Sequence, residues 1–165
     1  MFEIYPTKDY KGMSSNDLDD GGFTPVIANS ALNNGISGSS SLSPTEEGNI
    51  ITFSDTTEGN TFFYQPDSYI GFAHVQGMHP IDHIWNEKEL LFLVTILTFA
   101  NADLFNYGRK MRRDTIANTK IKLPAQKSNG KYIIDKENKY SPEGFIPDWE
   151  WMDNYIKNLP YSCTK

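Results

Sequence analysis

The sequence predicts an α+β fold: a mixed, largely antiparallel sheet, open or barrel-like, around a buried central helix, with a second helix at the C-terminal end. Three observations carry that prediction. Short runs of β-branched and aromatic residues alternate with Gly, Asn and Pro through the first half of the chain. A mostly apolar segment from 87 to 107 is far longer than a strand. The segment PDWEWMDNYIKNL, at 147–159, repeats its apolar residues at helical spacing. The 165 residues are enough for one sizeable core and contain no internal repeat or obvious linker, so a single domain over 1–165 is expected.

In chain order, Gly21-Gly22 precedes an expected strand at 23–27, and Asn33-Asn34-Gly35 forms a turn because Asn and Gly tolerate positive φ. The small polar run 37–43 reads as a loop, either flexible or ordered by a ligand. Strands follow at 48–53 (GNIITF), 61–65 (TFFYQ) and 69–76 (YIGFAHVQ). The 87–107 helix is apolar nearly all round in its first half, the pattern of a buried helix. Asn86 is placed to cap it, with Glu87 and Glu89 at its positive end and Arg109 and Lys110 beyond its negative end. Short strands are expected at 121–124 and 131–134, the second after a Ser128-Asn129-Gly130 turn. Pro147 suits the first position of a C-terminal helix within 146–160, which Pro160 ends.

Charge is unevenly spread. Fifteen bases against 21 acids give a net charge of −6. Residues 107–139 nevertheless hold ten of the bases and three of the acids, leaving five bases and 18 acids elsewhere. A basic strip on an acidic body fits a polyanion ligand, and it also fits a merely solvated face. The lone Cys163 excludes a disulfide framework within the chain. No signal peptide is visible at MFEIYPTKDY, and the longest apolar run, 90–97, is too short to span a bilayer, so a cytoplasmic protein without membrane association is expected.

Catalytic signatures are missing. There is no phosphate-binding GxxxxGK[ST] loop, no GxGxxG, no [DN]PP[YF] and no nucleophile elbow. His79 and His83 have zinc-like spacing, but Pro80 disfavours helix at His79. Asp82, Glu87 and Glu89 are close in sequence, yet a metal nuclease needs its acids on adjacent strands and the two glutamates fall in the expected helix. No catalytic residue, cofactor or metal is therefore expected. The cluster YGRKMRR at 107–113 can fork onto guanine or phosphate, or can simply suit a helix C-terminus. The Asn/Ser/Thr-rich loops 29–43 and 54–60 can read base edges or serve as solvent loops.

The ordered series FEIYPTKDY, TPVIANSALNNGISG, GNIITFSDTTEGNTFFYQPDSYIGFAHVQGMHP, LFLVTIL…FNYGRK, TKIKLP and PDWEWMDNYIKNLP resembles the target recognition domains of type I restriction–modification specificity subunits and of fused type IIG systems. The resemblance covers roughly residues 2 to 160. It implies sequence-specific recognition of double-stranded DNA through loops, with catalysis left to partner methyltransferase and restriction subunits or domains. Asn33, Asn34 and Gly35 match the family's turn, Tyr107 to Lys110 its basic helix end, and Lys120 to Pro124 its closing strand. The DNA contacts expected are Arg109, Lys110, Arg112 and Arg113 first, then Lys120, Lys8 and Lys11, with Asn33, Asn34 and Ser37 in the loops. The chain departs from a full specificity subunit in having one recognition domain and no long spacer helix. A half-subunit, an excised domain and part of a fused enzyme all fit, and a self-associating half, a homodimer, would read a symmetric site. A β-rich carbohydrate- or protein-binding module using Trp85, Trp149 or Trp151 is the alternative.

Overall fold

A computed structural model describes residues 1–56, 62–101 and 111–160. Nine strands and four helices occur among them: β1 Phe2–Pro6, α1 Ser15–Leu18, β2 Thr24–Ile27, β3 Ile36–Ser40, β4 Ile50–Ser54, β5 Phe63–Gln65, β6 Ile70–Gly71, β7 Val75–Pro80, α2 Glu87–Asn101, α3 Arg113–Ala117, β8 Lys127–Ser128, β9 Lys131–Tyr132 and α4 Trp149–Lys157. The α+β class holds. One sheet has the order β1-β7-β4-β5 and is antiparallel throughout. A second, β3-β2-β6, pairs β2 with β3 antiparallel and with β6 parallel. Each sheet ends in two unclosed edge strands, so neither forms a barrel.

The period-two alternation of side chains along a strand builds the layers. In β4 every residue is buried. Ile51 and Phe53 point into the largest core cluster, which α2 covers with Leu90, Leu93 and Leu97. Ile50 points the other way, into a cluster with Ile27, Tyr69 and Val75 between the two sheets. Val26 and Ile70 face a third cluster, completed by Leu18 of α1. Burial pushes the Tyr69 phenol up, out of reach of ordinary pH.

Helix α2 starts as expected. Asn86 Oδ1 accepts from Lys88 N at 2.9 Å and Glu89 N at 3.0 Å, while Glu89 Oε2 accepts from Asn86 N at 2.9 Å, a closed capping box. Glu89 is 4% exposed and also meets His83 Nε2 at 2.9 Å. His83 stacks on Trp149 with centroids 4.1 Å apart, and buried Trp85 meets both rings edge-on. This aromatic cluster ties the start of α2 to the start of α4.

Several expectations are corrected. Helix α2 is not buried all round: Thr95 and Phe99 are exposed, because the first sheet and α4 together leave one side of the helix uncovered. The helix is described to Asn101, and the rest of the expected 87–107 span lies outside the described residues. The expected 69–76 strand is two strands in different sheets, separated where His74 takes φ 68°. Residues 37–40 of the expected polar loop belong to β3, held by the ladder to β2. Residues 121–124 form no strand; Ile121 and Leu123 anchor them as an irregular segment on the main core. Pro147 precedes α4 and does not start it, because Asp148 is the cap, accepting from Trp151 N at 3.1 Å. Strand β1 and helices α1 and α3 are elements that the periodicity did not single out. Among the described residues no helix is long and apolar enough to cross a membrane.

One-sided burial of α2 predicts unequal mutational effects. Leu93→Ala should lower stability by about 2–5 kcal/mol, whereas Phe99→Ala should change it by less than about 0.5 kcal/mol. Urea unfolding of both variants measures this, and equal losses would contradict the packing.

Candidate nucleic-acid interface

The basic cluster is oriented by the core beneath it. Met111 is fully buried and Ile116 is 4% exposed, both in the main cluster. Arg112, with extended backbone at φ −99° and ψ 156°, and Arg113, the first residue of α3, lie between these anchors and are exposed. An apolar pair holding a short segment at both ends leaves the long cationic side chains only the solvent side. Neither guanidinium forms an ion pair among the described residues. Arg109 and Lys110, with Tyr107 and Gly108, lie outside the described residues.

The two arginines line a broad open groove of about 770 Å³ between α3, β1 and the end of β4. The groove is of mixed charge, since Glu3, Asp55 and Asp114 also line it. Two of these acids are engaged internally. Glu3 accepts from the Tyr5 hydroxyl, which raises the phenol's pKa. Asp55 accepts from Gln76 Nε2 at 2.8 Å and lies 3.2 Å from His74 Nδ1.

Asp55 joins the groove to a polar cluster built by three chain segments. Asn29, after β2, hydrogen-bonds both Ser54, at the end of β4, and Thr56. His74, in left-handed conformation, stands just before β7, and Gln76 lies within it. Gln76 is 3% exposed, and its Oε1 is a buried acceptor without a partner among the described residues. The cluster therefore offers amide, hydroxyl, imidazole and carboxylate groups beside two arginines, a mixture able to contact both phosphates and base edges.

Of the two Asn/Ser/Thr-rich loops, Asn29 and 54–56 are brought together, while 57–60 lie outside the described residues. Asn33 and Asn34 hold φ 51° and 55° in a single 3-10 turn, as the NNG motif predicts. Their side chains are occupied. Asn33 Nδ2 donates to Ile36 O at 3.2 Å, and Asn34 Nδ2 donates to Tyr64 O at 2.9 Å. Gln65 Nε2 returns a bond to Asn34 O at 3.1 Å and another to Thr52 Oγ1 at 2.9 Å, which staples the turn to the edge of the first sheet. Ser37 is exposed and donates to Val26 O at 3.2 Å. Lys8, Lys11 and Lys120 are exposed. Lys8 belongs to a different neighbourhood, its backbone bonded to Glu46 and Thr45.

His74 and Gln76 were not legible as site residues, and Asp55 only as part of the 54–60 loop, because the three meet only when β4 and β7 pair. The turn-rich DTTEGN that begins at Asp55, directly after β4, was the sequence signal near them. The three histidines take separate partners: His74 meets Asp55, His79 lies beside the Tyr5 ring, and His83 meets Glu89. Among the described residues no group of three or more His, Cys, Asp or Glu could hold a metal ion. Trp85 is 2% exposed and closed to a sugar, whereas Trp151 and Tyr155 are each 47% exposed and stacked on one another.

The family model of the type I restriction modification DNA specificity domain matches residues 1–140. No curated protein matches, and no solved structure matches.

The Asp55 contacts are structural, although its carboxylate is partly open to solvent. Asp55→Ala leaves the buried Gln76 amide nitrogen without this acceptor and should lower stability by about 1–3 kcal/mol. Asp55→Asn, which keeps an acceptor oxygen, should lose less. Thermal melts of the two variants compare them, and identical losses would contradict the contact.

Proposed function

The chain belongs to the family of type I restriction modification DNA specificity domains, and on that premise we propose that it reads double-stranded DNA by sequence and directs the methyltransferase and endonuclease activities of partner subunits or domains. The chain itself is non-catalytic on this reading, and it works in the cytoplasm, where its DNA lies. The observation that carries the reading is the exposed pair Arg112 and Arg113, without carboxylate partners among the described residues, beside the convergent polar cluster.

Affinity comes first from the arginines, with Arg109 and Lys110 just before them in the chain. Neutralising phosphates releases counterions, and an arginine fork also matches guanine O6 and N7. Specificity comes from His74, whose ring is largely exposed, and from the donor and acceptor capacity left on Asn29 and Thr56 beyond the hydrogen bonds they already make. Asn34 is a scaffold residue in this arrangement, because its amide is bonded to β5. Lys8, Lys11 and Lys120 are phosphate contacts of second rank.

The stacked, half-exposed Trp151 and Tyr155 on α4 favour a second reading, a carbohydrate- or protein-binding module. Retention on glycans with none on DNA would select it.

Fluorescence anisotropy with a random duplex pool tests the DNA reading. Binding should weaken steeply with salt. Arg112→Ala and Arg113→Ala should each cost on the order of 1–3 kcal/mol if they fork onto bases. Binding equal to wild type by a variant with Arg109, Lys110, Arg112 and Arg113 all replaced by Glu would sink the site assignment. Absence of salt-sensitive duplex binding by the wild-type chain would sink the function.

A further inference from the structure

A second basic element stands outside the arginine groove. Residues 115–134 contain Lys120, Lys122, Lys127 and Lys131 and no acid, in a chain with 21 acids. All four lysines are exposed, and none forms an ion pair among the described residues. The last two lie on the β8–β9 hairpin, where Lys127 pairs with Tyr132 and Ser128 with Lys131. Asn129 and Gly130 form the tip at φ 50° and 77°, the double left-handed turn that suits the twist of a two-residue hairpin.

Every residue from 127 to 134 is exposed, so the hairpin contributes no core. Two strands of two residues cannot hold themselves in water. This pair is held at its root. Gln126 N donates to Ile146 O at 2.9 Å, Ile133 N to Gln126 O at 3.0 Å and Asp135 N to Gly144 O at 2.8 Å. Bridges join Ala125 to Pro147 and Ile134 to Phe145, and the Phe145 ring meets Tyr132 edge-on at 5.1 Å. A rigid root with a wholly exposed, acid-free tip is the form of a projecting contact element.

Residues directly opposite across a hairpin share a face, and successive residues alternate faces. Lys127 and Tyr132 therefore occupy one face, with Lys127 Nζ 4.7 Å from the ring centroid, and Lys131 and Ser128 occupy the other. Each face presents one ammonium. A duplex groove presents the complementary pattern, two phosphate rows on opposite walls, and the B-DNA major groove, about 12 Å wide, admits a two-stranded ribbon. We propose that the 127–132 hairpin enters the major groove, with Lys127 and Lys131 on phosphates of opposite strands and Asn129 at the tip nearest the base edges. Asn129 makes no side-chain hydrogen bond among the described residues, which leaves its amide for a base.

This inference rests on the DNA reading, and the test separates the two. A duplex selected by the wild-type chain from a random pool is titrated with salt, using wild type, Lys127→Ala/Lys131→Ala and Lys127→Arg/Lys131→Arg. The alanine pair should bind at least tenfold more weakly at moderate salt. Its slope of log affinity against log salt should be smaller by about 2, at roughly 0.9 per phosphate. The arginine pair should keep the wild-type slope. Asn129→Ala should keep the slope and relax selection at one base position. Unchanged affinity and slope in the alanine pair, with wild type binding normally, would overturn the hairpin's role while leaving the DNA reading intact, and would point to an acidic protein partner. No duplex selected by wild type would overturn both.

Discussion

Strand β4 is buried on both faces, and the remaining layers are arranged by that constraint. Ile51 and Phe53 fill the space under α2, while Ile50 fills the space between the sheets. A central strand covered on both sides must satisfy its polar groups internally. Its ladders to β5 and β7 do so for the backbone. Thr52, 1% exposed, accepts from Gln65. The same Gln65 binds the Asn33-Asn34-Gly35 turn, so the second sheet's hairpin is fixed to the first sheet's edge through the polar group that β4 required. Partly satisfied buried networks are costly, which makes this staple a specifier of register as well as a contact.

The end of β4 emerges from the core as Ser54, Asp55 and Thr56, and there the candidate interface begins. Two different physical routes bring polar groups to it. Sheet pairing places Gln76 of β7, and His74 just before it, against Asp55, and the turn after β2 brings Asn29 to Ser54 and Thr56. Apolar anchoring does the rest, because Met111 and Ile116 bury themselves and leave Arg112 and Arg113 outside. The groove and the hairpin differ in electrostatics. The groove mixes arginines with carboxylates, so its electrostatics favour a partner that matches both signs. The hairpin and the chain leading to it are uniformly basic, which suits phosphate without regard to sequence.

The α+β class, the Asn86 cap and the NNG and SNG turns were legible in the sequence, because each rests on short-range chemistry: hydrophobic periodicity, side-chain capping and tolerance of positive φ; the family was legible only through the resemblance of the ordered series of segments along the chain. Failures cluster where a long-range partner decides. YIGFAHVQ alternates like one strand, yet its halves pair with β2 and β4 in different sheets, and His74 absorbs the break. ISGSS is as polar as a loop and becomes a strand because β2 offers it a ladder. IKLP has strand composition and stays irregular, with Ile121 and Leu123 serving as core plugs.

For the site, the basic strip at 107–139 was visible as composition, and its division into a groove pair and a projecting hairpin was not. Composition determines how much charge a segment carries, and the burial of its apolar neighbours determines which way that charge faces. Likewise the Asn/Ser loops announced donors and acceptors, but which of them stay available depends on what they bond to. Asn34 is tied to β5 and Asn29 to Ser54 and Thr56, and each keeps only the hydrogen-bonding capacity those contacts leave. The sequence by itself determined the turns, the caps and the uneven charge, all settled within a few residues. Tertiary structure alone decided which side chains share a surface, because that is fixed by sheet register and core packing between residues far apart in the chain.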